Sequence, residues 1–348
     1  MSPYIMALLL FALGLGTTIT FASSHWLLAW MGLEINTLAI IPLMTQHHHP
    51  RAVEAATKYF LTQSTAAATL LFATTTNAWL TGQWNIQLMT HPIPTTMIII
   101  ALSLKIGLAP LHTWLPEVLQ GLDLTTGLIM STWQKLAPFA LLLQIPLADR
   151  TILVLLALSS TLIGGWGGLN QTQLRKILAY SSIAHLGWMM LIIQFAPSLT
   201  LLALTTYLVM TSAAFLTLHL NKTTNINTLA TSWSKNPLIT HIFAMILLSM
   251  GGLPPLTGFV PKWVILQELT KQSLPLTATV AALTALLSLY FYLRLSYAMT
   301  LTISPNNLAN STPWRLHPNH TAAPISVAAM LSALLLPLAP ALTAVLSL

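Results

Sequence analysis

The sequence predicts an all-α, polytopic membrane protein, on three observations. Hydrophobic residues make up 55% of the 348 and charged residues only 5%, whereas roughly a quarter of a soluble globule is charged. Mean hydropathy is +0.76. Apolar runs of about 20 residues, the length an α-helix needs to cross hydrocarbon, recur from end to end, with no polar stretch long enough to fold by itself. A single integral membrane domain over 1-348 is therefore expected.

Runs bounded by Pro, Asn, His or charge predict about eleven transmembrane helices, near 3-22, 25-45, 55-80, 95-120, 124-145, 150-169, 174-195, 198-220, 237-270, 274-300 and 323-346. Residues 1 to 22 lack the basic leader of a cleavable signal and read as a first span. The second run carries Glu34 in WMGLEINTLAI and ends at His47, His48 and His49 beside Pro50 and Arg51, a solvated basic turn rather than a metal site. The fourth run contains LKIGLAPLHTWLPE, residues 104 to 117, which sets Lys105 in an apolar helix and then breaks it. Pro110 lacks an N–H and its ring clashes with the carbonyl of Ile106; Pro116 is expected to do the same to His112. Such a break is tolerated at membrane depth where protein or a polar cavity receives the freed carbonyls, which marks an ion path. The fifth run holds Lys135 three residues before Pro138, and the seventh holds His185 in AYSSIAHLGWMM. The ninth run, interrupted like the fourth, carries Lys262. Trp26, Trp84 and Trp314, near span ends, read as interface anchors.

The two interrupted runs match at a constant offset of 145 residues, GLAPLHTWLPE from Gly107 over GLPPLTGFVPK from Gly252. Each is the fourth run of a set of five. The chain thus reads as inverted repeat one over about 3-145, inverted repeat two over about 150-300, and a terminal helix over about 323-346. Because five is odd, the second set enters the membrane with opposite polarity, the plan of a transporter with sites at its broken helices. The alternative is a chance match, since Gly and Pro are common in membrane helices. Lys and Arg favour the loops after even-numbered spans, through Arg51, Arg175, Lys176, Lys222, Lys235 and Arg315; Arg150, beside Asp149, and Lys271, near Glu268, are the main exceptions. The N-terminus is therefore expected on the positive-inside face.

A formal charge of +7 from 13 basic residues is scattered among turns without an aromatic-interleaved patch, so no nucleic-acid partner is predicted. The absence of cysteine excludes disulfides, iron–sulfur clusters and thiolate metal sites in this chain, leaving redox chemistry to other chains. No helix carries a histidine pair suited to axial haem ligation, and no bound cofactor or metal is expected.

Glu34, Lys105, Lys135 and Lys262 lie well inside predicted spans. At the bilayer centre each costs about 2.5–3.5 kcal/mol on insertion scales, so each must face a polar interior or a partner. Burial penalises the charged form, so a neighbouring charge can decide whether such a group holds its proton. Glu34 is expected to pair with Lys105, and Lys135 to accept a proton from Lys105; the alternative is a purely structural ion pair. His112, in the first break, and His185 are possible further relay groups, with a hydrogen-bonded core histidine the alternative for His185.

At LKIGLAPLHTWLPE and MGGLPPLTGFVPKW, and again at HHHPRAVEAATKYFLTQSTAAA and AYSSIAHLGW, the sequence resembles the antiporter-like membrane subunits of respiratory NADH dehydrogenase, a family related to cation/proton antiporters of the Mrp type. The resemblance covers essentially the whole chain. It implies a subunit of the proton-pumping arm of complex I in the inner mitochondrial membrane, with the N-terminus facing the matrix and other membrane-arm subunits and lipids as partners. It also implies that NADH, FMN, iron–sulfur clusters and ubiquinone are bound elsewhere in the complex. Members usually have fourteen helices; a form lacking the first three keeps both repeats. The family's transport residues carry over onto Glu34, Lys105, Lys135 and Lys262, the proton affinity of each responding to quinone reduction in neighbouring subunits. A stand-alone cation/proton antiporter and a purely structural arm subunit are the alternatives.

Overall fold

The computed structural model describes residues 2–46, 48–146, 150–234, 237–301 and 322–346. His47, Asp149, Lys235, Trp314 and Arg315 lie outside the described residues. Two compact units divide the chain, Met1–Ala157 and Leu158–Leu348. The described residues are helical with no strand beyond isolated bridges.

The first unit runs α1 (Pro3–Ala22), α2 (Trp26–Met44), α3 (Pro50–Thr81), α4 (Pro92–Ile106), α5 (Trp114–Gly121), α6 (Leu124–Ser131) and α7 (Trp133–Gln144), and it ends inside α8 (Arg150–Gly167). The second continues with α9 (Leu174–Ile192), α10 (Pro197–Asn221), a short α11 (Ile226–Ala230), α12 (Pro237–Gly251), α13 (Phe259–Lys271), α14 (Pro275–Thr300), α15 (Ala322–Leu334) and α16 (Ala339–Leu346). Among the described residues α1, α2, α10 and α14 are each long and apolar enough to cross a membrane unaided. Of the others, α15 and α16 qualify only as one bent pair, and the rest fall short or, as in α3 with Arg51, Glu54 and Lys58 in its first turns, carry charge.

Four local features differ from the sequence expectation. The third helix begins at Pro50, not near 55, because His49 caps it, accepting from the Arg51 N–H at 3.2 Å, and Pro50 fits a first helical position. The fifth run is split at Thr132, where ψ is −69° and the N–H finds Leu128. The last run bends by 68° between Ala323–Leu334 and Leu336–Leu342, at Leu335, two residues before Pro337. Pro116 makes no second break. It is the third residue of α5, where a helix leaves its N–H groups unused, and Pro261 sits likewise in α13.

In the first unit α1 crosses α2 at Gly16 and Gly32: a Cβ at either would stand 2.8 Å from the other's carbonyl oxygen. In the second, a Cβ on Gly164 of α8 would stand 2.6 Å from the backbone nitrogen of Ala184 on α9. Each unit also carries the same backbone clasp. The Trp26 N–H donates to Trp84 and the Ile86 N–H to Ser24, both at 3.0 Å; the Leu174 N–H donates to Thr224 at 3.0 Å and the Ile226 N–H to Thr172 at 3.1 Å. Each clasp joins the start of a unit's second helix to the chain following its third.

The clasp overturns the anchor reading of Trp26. That residue is 1% exposed, drawn into the core by the bond to Trp84, while Trp84 stacks on His25 with ring centroids 5.5 Å apart.

Candidate functional site

The first break is set by local chemistry. α4 ends at Ile106, four residues before Pro110, and Gly107 takes φ +85°, a left-handed cap that only glycine adopts without strain. Its N–H and that of Leu108 both return to the Ser103 carbonyl at 2.9 Å. Two further carbonyls at the end of α4 are received by side chains. The Trp114 indole donates to Leu104 at 3.1 Å, and the Gln63 amide, from α3, to Lys105 at 3.4 Å. Neutral donors thus cap the helix and leave the Lys105 ammonium free of that duty.

The Lys105 side chain is 2% exposed, and its Nζ lies 3.7 Å from Glu34 Oε1, with that glutamate side chain 23% exposed. This is an ion pair beyond hydrogen-bond distance. The other carboxylate oxygen of Glu34 accepts from the Thr37 hydroxyl at 3.2 Å. Lys135, 2% exposed, stands in the first turn of α7, just past the split at Thr132. A helix macrodipole favours a cation in its last turn, where Lys105 sits, and opposes one in its first turn, where Lys135 sits. The neighbouring Gln134 amide donates to the Asn36 carbonyl at 3.2 Å, fixing α7 against α2.

One cavity joins these groups. Asn36, Thr37, Gln63, Lys105, Gln134 and Lys135 line it together with Tyr59, Trp114 and apolar neighbours. About 20 Å³ of it is open to the centre of a water molecule, enough for one water, which needs roughly 10–15 Å³ on this measure. The sequence identified the charged members; it missed the amides Asn36, Gln63 and Gln134. Their signal is present, since each interrupts an apolar span with a side chain that hydrocarbon does not tolerate unpaired.

His112 lies in the break but is not among the residues lining this cavity; its Nδ1 is 3.3 Å from the Pro110 carbonyl. Glu117, which aligns with Lys262 in the sequence, pairs with Lys58 at 2.8 Å on an exposed face, and Lys58 also meets Glu54 at 2.8 Å.

The second unit repeats the backbone of the break with different chemistry. α12 ends at Gly251, and Gly252 takes φ +83°, its N–H returning to Ser249 at 2.9 Å. Here the lysine itself receives the freed carbonyls: Lys262 Nζ donates to Gly251 at 2.8 Å and to Met250 at 3.3 Å. A Cβ on Gly252 would lie 2.9 Å from Lys262 Cδ and 3.0 Å from Nζ, so glycine also makes room for that side chain. His185 lies in α9 among buried hydroxyls. Its Nε2 is 3.5 Å from the Tyr292 hydroxyl and its ring 5.7 Å from that of Tyr207. Among the described residues no group of three His, Cys, Asp or Glu side chains is arranged to hold a metal.

Comparison with known proteins gives a consistent picture. Residues 23–288 match the family model described as NADH:quinone oxidoreductase/Mrp antiporter, transmembrane, and residues 289–343 match NADH dehydrogenase subunit 2 C-terminus. The NADH-ubiquinone oxidoreductase chain 2 of Tetraodon nigroviridis is 74% identical over 98% of both chains, and that of Oncorhynchus mykiss 68% identical over the full length of both. Among solved structures, a chain of the respiratory complex I from Thermus thermophilus with bound aureothin superposes with a TM-score of 0.86 at 31% identity, covering all of this chain and 80% of that one. A chain of the Mrp complex from Dietzia sp. DQ12-45-1b shares the fold, with a TM-score of 0.74 at 19% identity over 84% of this chain and 60% of that one.

Proposed function

The chain belongs to the NADH:quinone oxidoreductase/Mrp antiporter transmembrane family, and from that premise we propose that it is a proton-translocating membrane-arm subunit of a NADH:ubiquinone oxidoreductase in which Glu34, Lys105, Lys135 and Lys262 carry the protons. The complex resides in the inner mitochondrial membrane, with this chain's N-terminus on the matrix side. NADH, FMN, iron–sulfur clusters and ubiquinone are held by other subunits, in keeping with a sequence that has no cysteine to ligate a cluster. The two five-helix sets are a repeat, a reading supported by the paired left-handed glycines and the paired clasps.

The observation that carries the proposal is the single cavity onto which both Lys105 and Lys135 open, with Glu34 3.7 Å from the first. At that separation, with an effective dielectric constant near 20, the ion pair is worth about 4 kcal/mol of Coulomb energy. Driving one charge across the membrane takes about 2.3 kcal/mol per 100 mV, so removing or restoring the Glu34 charge is a large enough signal. Quinone reduction in neighbouring subunits alters the field at Glu34. Lys105 then yields its proton across the cavity to Lys135, at the helix end that releases a cation most readily. Lys262 does the corresponding work at the break of the second unit, with His185 and its tyrosines as a neighbouring relay.

The test is Lys105→Ala in complex I reconstituted into liposomes. The expected result is a lower number of protons moved per NADH oxidised; an unchanged stoichiometry removes Lys105 from the path. A stand-alone antiporter would instead show cation/proton exchange by the isolated chain with neither NADH nor quinone present.

A further inference from the structure

Asn36 is 2% exposed, and both atoms of its side-chain amide lack a hydrogen-bond partner among the described residues. An unpaired buried polar group costs about 1–3 kcal/mol, whereas a leucine of nearly the same shape would incur no such cost. Packing alone therefore does not explain an asparagine here.

Its surroundings prevent the amide from turning away. A Cβ on Gly16 of α1 would stand 2.4 Å from Asn36 Oδ1, so α1 lies directly against the amide at the tightest point of its crossing with α2. The Gln134 bond to the Asn36 backbone carbonyl, at 3.2 Å, holds the same residue against α7 one position before Lys135. Asn36 is one of the residues that line the cavity shared by Lys105 and Lys135. That cavity admits one water. A buried water needs two to four polar partners, and the amide offers an acceptor oxygen and an NH2 group with two N–H donors. Lys105 Nζ likewise has no hydrogen-bond partner among the described residues. A neutral amide does not titrate, so it cannot retain a passing proton; it can only hold the molecule that carries one.

We propose that Asn36 is a positioning residue for the proton hand-over: its amide holds a water between Lys105 and Lys135. The inference rests on the proposed role of those two lysines. The step balances without electrons. Lys105 Nζ gives a proton to the water oxygen, the water gives one of its own to Lys135 Nζ, and the water is left unchanged.

The experiment compares Asn36→Leu, Asn36→Ala and Asn36→Ser with Lys105→Ala, each in complex I in liposomes. The readouts are assembly on a native gel and protons moved per NADH oxidised by the assembled enzyme. Asn36→Leu is expected to assemble and to slow the hand-over about tenfold, the loss expected for one hydrogen bond of ordinary strength, which is read as fewer protons moved per NADH oxidised. Asn36→Ser, short but able to hold a water, is expected to restore most of that transfer. If Asn36→Leu does not assemble, Asn36→Ala decides on the same readout. Assembled Asn36→Leu or Asn36→Ala enzyme with the parental stoichiometry overturns the proposal, as does Asn36→Ser failing to restore transfer or all three variants failing to assemble. If Lys105→Ala lowers the stoichiometry while the Asn36 variants do not, this inference falls and the proposed function stands. If Lys105→Ala also leaves it unchanged, the proposed function falls.

Discussion

Lys262 has two tasks that a single truncation would confuse, and the geometry separates them. Its Nζ caps the Gly251 and Met250 carbonyls at 2.8 and 3.3 Å, and it is also a proposed proton carrier. Lys262→Met removes the charge and the donors together. Two carbonyls at a broken helix end are then orphaned, at about 1–3 kcal/mol each, so roughly 2–6 kcal/mol is lost against a total stability of the order of 5–15 kcal/mol. Poor assembly is the expected outcome, and it says nothing about proton transfer. Lys262→Arg keeps a positive charge and supplies five N–H donors, but a guanidinium does not release its proton in a protein. The arginine variant is therefore expected to assemble far better than the methionine variant and to move fewer protons per NADH oxidised. The assay is a native gel for assembled complex followed by proton uptake and NADH oxidation in liposomes. Parental stoichiometry in assembled Lys262→Arg complex would refute the reasoning, leaving Lys262 as a helix cap and nothing more.

Two further outcomes follow from backbone and burial. Gly107→Ala and Gly252→Ala each place a Cβ at φ +85° and +83°, at a cost of about 1–2 kcal/mol for the left-handed backbone. The added atoms also meet Leu115 and Lys262 at 2.9 Å. Both variants are expected to lower the thermal midpoint of the solubilised complex, whereas Gly14→Ala, with nothing within 4 Å, is expected to leave it unchanged or raise it. Trp26→Ala, at a site 1% exposed, is expected to cost about 3–5 kcal/mol, the range for buried aromatic truncation. It should be visible as loss of assembled complex; an anchor at a membrane interface would show only a small effect.

What the sequence made legible was whatever hydrocarbon makes expensive. Apolar length placed the helices, glycine with proline placed both breaks, and the four charges stood out because they lie well inside apolar runs. The structure sets Glu34 beside Lys105, gives Lys105 and Lys135 a common cavity in the first unit, and puts Lys262 at the matching break of the second. What stayed illegible depends on three-dimensional partners. Lys58 and Glu117 are 59 residues apart and pair across α3 and α5, so no local pattern marks them. The clasps at Trp26 and Leu174 are made by backbone atoms, to which sequence is blind. Pro116 was misread because its consequence depends on where the helix restarts: one residue type breaks a helix from its interior and starts one from its first turn.

The two breaks show why a repeated backbone does not imply repeated chemistry. Both present freed carbonyls beside a left-handed glycine, and both must satisfy them inside the membrane. In the first unit Gln63 and Trp114 do so with neutral donors, so the lysine of that helix is released to face a carboxylate 3.7 Å away. In the second, Lys262 is committed to the carbonyls, and the glutamate position aligned with it in the first unit has gone to a surface pair with Lys58. In the proposed function the first lysine is thus governed by a charge that neighbours can change, and the second by a helix end that only a movement of the break can change. A neutral amine still carries two N–H donors, so Lys262 can give up a proton without orphaning both carbonyls at once. Methionine at this position would remove that property, whereas arginine would keep the cap and lose the exchange, which is why the arginine variant separates the cap from the carrier.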